Sequence, residues 1–517
     1  MKKGIILYGI LLLAFTASGL YSQTNLEWVK YYHSSSYNAN EEARSLCIDN
    51  NSNIAVVGAQ GINTAIKIFI YDPYGNEILD TIYPGGIPHK IIFNGTDDFF
   101  VSSSTGLYKL NSQGNVSVIN SGKYANIITG SDNYIYGAKI NSTGVFSTEK
   151  YDLDGTLVWT MNYGESAYWN RLSRIFQGVD NKIHVFGSWW FTIVGYLTQG
   201  NYHLIYDTSG NFLGYNAFPT GSIAEARNEF LQINSFAEFN EQGIWHSNLL
   251  FHKVNTNNSL LNTSIYAGTG NGRNEPFDVI CDNTGNTYVA CRSWGVAVDY
   301  DFVILKYDNS GNLVWEYRFN GSENSYDDAT KIRLDNEGNI VASGTITQNA
   351  HGIQIYTVKL SPAGDLLWSD KFSRYNSNID SNYVNDLQLD NNGNIYLCGK
   401  SRNSQSQRYD FMTLKYSNPT ISISNSNEII KDFRILNNYP NPFNPETNLK
   451  FILGKSASVK INIYGVDGKK LTQLFNSYYS PGEHEVKWNA ASFPSGVYFI
   501  SFESGNFKEI KKAILSK

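Results

Sequence analysis

One unit recurs along this chain, and it restricts the fold more than any other feature. Between Asp301 and Gly344 the sequence reads DFVILKYDNSGNLVWEYRFNGSENSYDDATKIRLDNEGNIVASG. Its apolar runs, 302–307, 313–319, 332–334 and 340–342, are short and rich in β-branched and aromatic residues. Asp/Asn/Gly clusters separate them. Runs of this length and composition, punctuated by turn residues, predict strands rather than helices. The turns carry Gly where a tight hairpin needs a residue that accepts φ > 0.

Two markers set the period. Asp-x-x-Gly-Asn, at the hairpin joining the first two strands of a unit, starts at Asp282, Asp335 and Asp390, with a variant at Asp49 that carries Ser52. An aromatic-Asp-x-x-Gly turn follows at Tyr71, Tyr151, Tyr206 and Tyr307, often with a Trp four residues after its Gly, as at Trp159 and Trp315. Four strands at a period of roughly 50 residues describe the blades of a β-propeller. Units begin near Glu41, Pro88, Tyr124, Asn170, Asn228, Glu275, Tyr326 and Tyr383, the second and fifth being degenerate. The expectation is eight blades, with seven as the alternative. The last unit stops after YDFMTLKYS without a fourth strand, and LEWVKYY at residues 26–32 has the missing pattern, Trp28 standing where other units have Trp315 and Trp368. Such a strand would close the ring and remove an exposed edge. The propeller is expected over residues 25–417.

The unit, with Asp327-Asp328-Ala329 within it, resembles the β-propeller repeat widespread in secreted bacterial proteins. That resemblance implies a fold and an extracytoplasmic setting, and brings no shared catalytic residues. A lysine pair, Lys2 and Lys3, precedes a short apolar run from Ile5 to about Ala17 and a small-residue exit, which reads as a signal peptide over residues 1–22 with Gly19 as the alternative end. No later run has the ~20 apolar residues of a membrane span, so no transmembrane segment is expected after signal removal. The net charge of −6 lacks the basic face that nucleic acid requires. Cys47, Cys281, Cys291 and Cys398 have no metal or redox spacing and read as small strand residues.

Composition shifts after Ser417. A polar stretch over 418–436 reads as a linker, and LNNYPNPFNPETNLKF then opens a module of short alternating strands over 437–517, expected to be a small immunoglobulin-like β-sandwich. The ordered series NYPNPFNP, INIYGVDGKK, GEHEVKWNA and SGVYFISF, with a Lys-rich end, resembles the type A C-terminal sorting domain of the type IX secretion system. The resemblance implies the secretion machinery as a partner and delivery to the cell surface or the medium.

Chemistry is sparse. No zinc-protease, Walker or nucleophile-elbow motif occurs, and neither metal nor cofactor is assigned. The Asp-x-x-Gly-Asn turns offer oxygens, but Asp and Asn in such turns bond their own backbone. Acids cluster where first strands begin: Glu41-Glu42, Glu275 with Asp278, Asp327-Asp328, and Asp386. These are expected to be solvated or to bond neighbouring loop amides. Five tryptophans, Trp169, Trp189, Trp190, Trp245 and Trp294, leave the repeat register, and four of them bear on function. Trp169 is expected in the connection entering the fourth blade, and Trp189, Trp190 and Trp294 in loops after second strands, all on one face. They are the candidate ligand-binding residues, for a glycan. The functional expectation is an exported, non-catalytic binding or structural protein. The alternative is a propeller glycan hydrolase or lyase whose carboxylates come from separate blades.

Overall fold

The computed structural model describes residues 25–418, 433–435 and 443–517, except 35–39, 62–64, 142–143, 165–168, 179, 194–195, 219–221, 225–229, 240–244, 255–259, 271, 296–298, 322–325, 349–350, 376, 454–456, 467, 480–481 and 505–506. Along 169–173, 188–202 and most of 216–261, and at a few tail positions, it describes the backbone alone. The expected signal peptide and most of the expected linker lie outside the described residues.

Eight four-stranded antiparallel sheets make up the first part of the chain, seven of them meanders of consecutive strands. They span 42–83, 88–121, 123–163, 169–218, 222–266, 274–319 and 328–372, and are numbered here as blades 1 to 7. Blade 8 has three strands from 382–416, and its fourth is Leu26–Tyr32, with Val29 opposite Leu414. The fold is an eight-bladed β-propeller. Its fifth blade opens with Ser222–Ala224, ahead of the expected start near Asn228, because this degenerate unit lacks the Asp-x-x-Gly-Asn marker that registers the others.

Core residues lie between blades rather than within one. Tyr288, Phe302 and Ile304 of blade 6 pack with Ile332, Ile340 and Tyr356 of blade 7. Leu46, Ile54 and Phe69 of blade 1 meet Tyr396, Cys398 and Phe411 of blade 8, which closes the ring. Middle strands are covered on both faces and so read as continuous apolar runs, as in Ile54–Gln60, whereas fourth strands leave Leu313 and Val314 exposed at the rim. At the marker turns, Asp282 Oδ1 accepts from the amides of Thr284 and Asn286, and Asn286 Nδ2 donates to Oδ2 (2.8 Å). The hairpin aspartates are committed to their own turns.

A repeated clamp joins neighbouring blades at the outer hairpins. Trp28, Trp159 and Trp315 each donate the indole N–H to a turn carbonyl of the next blade, those of Pro73, Thr208 and Pro362, all at 3.2 Å. Lys415, Lys150 and Lys306 donate to the same three carbonyls. The turn glycine lies under the indole. At Gly75, with φ +83°, an added Cβ would stand 2.9 Å from the Trp28 ring. Blade 8 has no third-to-fourth hairpin, so Lys359 reaches the side chain of Asn418 instead (2.9 Å).

The tail is a seven-stranded sandwich of a three-stranded and a four-stranded sheet. Phe433–Ile435, within the stretch expected to be linker, pairs with Glu446–Leu453, so this sandwich begins before Asn437. Phe443 of the NPFNP motif packs on Trp488 (5.1 Å), which also meets Tyr498 and Phe493. Phe443, Trp488, Tyr498 and Phe502, drawn from three of the ordered motifs, thus share one core.

Candidate functional site

The tryptophans singled out from sequence lie on strands, not in loops. Trp169 is the first residue of Trp169–Gln177, and Trp189 and Trp190 fall inside Ile183–Ile193. The run WWFTI is itself strand-forming, and it lengthens the hairpin until Ile193 pairs with Tyr196. Trp169 is opposite Trp190 in backbone register, and Asn170 opposite Trp189. Trp294 ends Thr287–Trp294 in blade 6. First strands start and second strands end on one face of a propeller, so the backbone carries all four residues to that face, in blades 4 and 6. Trp294 is half-buried, set edge-on to Tyr300 (4.7 Å) and against Gly272.

Beside Trp294 lies a cluster of which the sequence reading had singled out only the acids, Glu275 and Asp328. The Arg292 guanidinium sits 4.6 Å from the Tyr300 ring and 5.5 Å from those of Tyr326 and Phe277. Tyr300 and Tyr326 stack at 5.1 Å. Arg292 bonds Glu275 Oε2 (2.7 Å) from blade 6 and Asp328 Oδ1 (3.4 Å) from blade 7. Tyr326 is 60% exposed and Phe277 39%, so the seam presents two aromatic surfaces around a fixed cation. Burial raises the Asp328 carboxyl, and Arg292 only partly offsets it. Burial disfavours the Arg292 charge, but Asp328 and Glu275 more than restore it.

Phe277 reaches this surface through a β-bulge. In seven blades the first strand slips register at one equivalent position, between Ala43 and Ser45, Pro88 and Lys90, Tyr124 and Asn126, Leu172 and Arg174, Pro276 and Asp278, Ala329 and Lys331, and Val384 and Asp386. A bulge re-aims side chains and leaves an amide unpaired in the ladder. In blades 6, 8 and 1 the residue after the bulge accepts from the corresponding amide of the next blade. Asp278 takes Ile332 N–H (3.2 Å), Asp386 takes Leu46 N–H (3.2 Å) and Ser45 takes Ile91 N–H (3.4 Å).

First strands line the axis, so these residues converge there. Arg333 joins Asp278 (2.8 Å) to Asp386 (3.4 Å), Lys90 reaches Asp386 (3.1 Å) and Arg174 approaches Asp278 (3.8 Å). The surrounding cations hold both carboxyls below their ordinary range against the opposing effect of burial. Of the acids expected where first strands begin, Asp278 and Asp386 are therefore axial and ion-paired. Glu41 and Asp327 are buried and accept backbone amides, from Ser34 in a loop and Thr347 on a strand (both 2.8 Å).

No curated protein matches the chain. Among solved structures, the β-propeller domain of the Trilobed protease from Pyrococcus furiosus is 10% identical, with a TM-score of 0.38 over 66% of this chain and 100% of that one. The Dos1 propeller is 10% identical, with a TM-score of 0.36 over 76% of this chain and 96% of that one. Residues 437–516 match the family described as the secretion system C-terminal sorting domain. The chain therefore ends in a type IX secretion sorting domain, which sends it to the cell surface or the extracellular space.

Proposed function

We propose that this exported propeller is a non-catalytic binding protein that takes a glycan on the face where first strands begin. The observation that supports it is the seam around Arg292. Exposed Tyr326 and Phe277 offer the flat apolar surfaces on which a sugar ring stacks, and Arg292, Glu275 and Asp328 offer donors and acceptors for its hydroxyls. Trp294 adjoins this seam, and Trp169, Trp189 and Trp190 extend the platform towards blade 4 in this reading. Glu275 and Asp328 also come from separate blades, as the hydrolase alternative demands. Both are bonded to Arg292, however, and a carboxylate shared with a guanidinium is poorly suited to shuttle a proton. Binding is the better reading.

In the same proposal, residues 1–22 are a signal peptide and 25–417 the working propeller, a connection follows, and the immunoglobulin-like address module includes Phe433–Ile435 and runs on through 517. The test is a glycan array probed with the secreted protein, followed by a turnover assay on each hit. A hit lost in Tyr326→Ala and Arg292→Gln, with unchanged melting temperature, supports the reading. Retention of every hit in both variants refutes the seam, and product formation from a hit makes the protein an enzyme.

A further inference from the structure

The chemistry of the Arg292 seam occurs twice. Strand register gives the counterparts residue by residue. In blade 6, Glu275 pairs with Arg292 and Asn274 with Ser293; in blade 8, Tyr383 pairs with Lys400 and Asn382 with Ser401. One strand further out, Trp294 faces Tyr300 as Arg402 faces Tyr409. Across each seam the next blade supplies an acid at one shared position, Asp328 of blade 7 opposite Thr345 and Glu42 of blade 1 opposite Ala59. Lys400, Tyr409 and Glu42 therefore stand where Arg292, Tyr300 and Asp328 stand.

The contacts match as the positions do. Lys400 Nζ lies 5.1 Å from the Tyr409 ring and 5.4 Å from that of Tyr383. It bonds Glu42 Oε2 (3.0 Å), and Arg44 holds Oε1 of the same carboxylate (2.5 Å). Tyr383 and Tyr409 meet edge-on at 5.9 Å. With Tyr383 in the place of Glu275, the second cluster has one more ring and one fewer carboxylate than the first. The Lys400 side chain keeps 30% of its surface open against 22% for Arg292, and both tyrosines are half-buried, so solutes reach it. Blades 7 and 1 hold Thr345 and Ala59 at the cation's position, so the cluster is not a property of every repeat.

We propose that the seam between blades 8 and 1 is a second subsite for the same kind of sugar unit, and that the ligand is a polysaccharide repeating that unit. The proposal rests on the glycan reading of the Arg292 seam. At both seams, aromatic rings beside a fixed cation and an acid offer a stacking surface and partners for hydroxyls. The two seams lie on one face, a quarter of the eight-bladed ring apart. A chain that presents one unit repeatedly meets the second subsite at high effective concentration once the first is filled, and a single small saccharide gains nothing from it.

Affinity electrophoresis of the full mature chain through laminarin, xylan, dextran and polygalacturonate, with native mass spectrometry on the tetrasaccharide of each, tests it. The expected result is retardation by at least one polymer and two bound copies of its tetrasaccharide. Lys400→Gln and Arg292→Gln should each remove one copy at an unchanged melting temperature. Each should also weaken retention of the polymer by about a hundredfold, the loss when two linked sites become one. A single bound copy that Arg292→Gln removes and Lys400→Gln leaves in place overturns the second subsite and keeps the glycan reading. Two copies bound to Lys400→Gln overturn the subsite as well. A polymer held no more tightly than its tetrasaccharide overturns the repeating ligand. Failure of every probe to bind removes the polysaccharide proposal, and the glycan array then decides the Arg292 seam by itself. Should Lys400→Gln unfold, Tyr383→Ala decides.

Discussion

A residue at the start of the first strand or just before it is completely buried in four blades: Glu41, Asn274, Asp327 and Asn382. Two blades solve this burial with neutral groups. Asn274 and Asn382 accept from Ser293 and Ser401 (2.6 and 2.7 Å) and donate to the carbonyls of Ala267 and Ile353. Blade 7 places a carboxyl there. Burial, with the charges of Asp301 and Asp299 adding to it, pushes Asp327 up to about 8 although it accepts the amides of Gly321 and Thr347. A carboxyl raised in the folded state binds its proton more tightly than in the unfolded chain. Its contribution to stability is therefore present at low pH and falls as pH rises from about 3.8 to about 8. Asn mimics the protonated acid, so Asp327→Asn should match the native chain near pH 4 and exceed it increasingly towards pH 8. The gap should reach a few kcal/mol at about 1.4 kcal/mol per pKa unit. Denaturant melts across that range check it, and a gap independent of pH would show that Asp327 does not titrate in the folded protein.

At the scale of the strand, the same clamp has different consequences by position. Trp315 fastens two blades that chain connectivity already joins. Trp28 fastens the terminal strand Leu26–Tyr32 onto blade 1, packing near Tyr71 (5.9 Å) and Tyr396 (6.4 Å). Truncating either indole should cost about 3 kcal/mol, the lower end for large aromatic residues because both are only half-buried. Only Trp28→Ala, however, should loosen the ring. Its signature is faster amide exchange along Tyr409–Tyr416, the strand that would become an edge, with no such change in Trp315→Ala. Equal protection in the two variants would mean that backbone pairing alone holds the seal.

Across the whole molecule, working part and address are separate cores. The tail packs Phe443, Trp488 and Tyr498 into its own interior, and the ring closes on itself without it. Because Phe433–Ile435 belongs to the tail's sheet, a clean truncation starts at residue 419 rather than at 437. The truncated chain should accumulate in the periplasm as a folded propeller, absent from the surface and the medium. Fractionation with an immunoblot, and a melting curve of the retained protein, provide the check. Surface display without the tail would remove it as the address.

Sequence by itself determined whatever rests on local chemistry. The Asp-x-x-Gly-Asn hairpins are closed by their own Asp and Asn, within five residues, so their recurrence could be read directly and gave the eight-bladed ring. The tail was legible for a different reason, the resemblance of its ordered motifs to a known sorting domain. The Trp189-Trp190 pair was misplaced into a loop because a run such as WWFTI shows that a strand is possible but not how far its hairpin extends. The axial and seam clusters were decided by tertiary structure alone. Asp386 meets Ser45 across the whole length of the ring, and Arg292 draws Glu275 and Asp328 from different blades. The axial residues do share a sequence address, four before each first hairpin's leading residue, yet that position holds Ser, Lys, Asn, Arg or Asp. A propeller carries equivalent positions of every blade to one axis, so chemistry there depends on how unlike residues combine. No segment of the chain contains that combination.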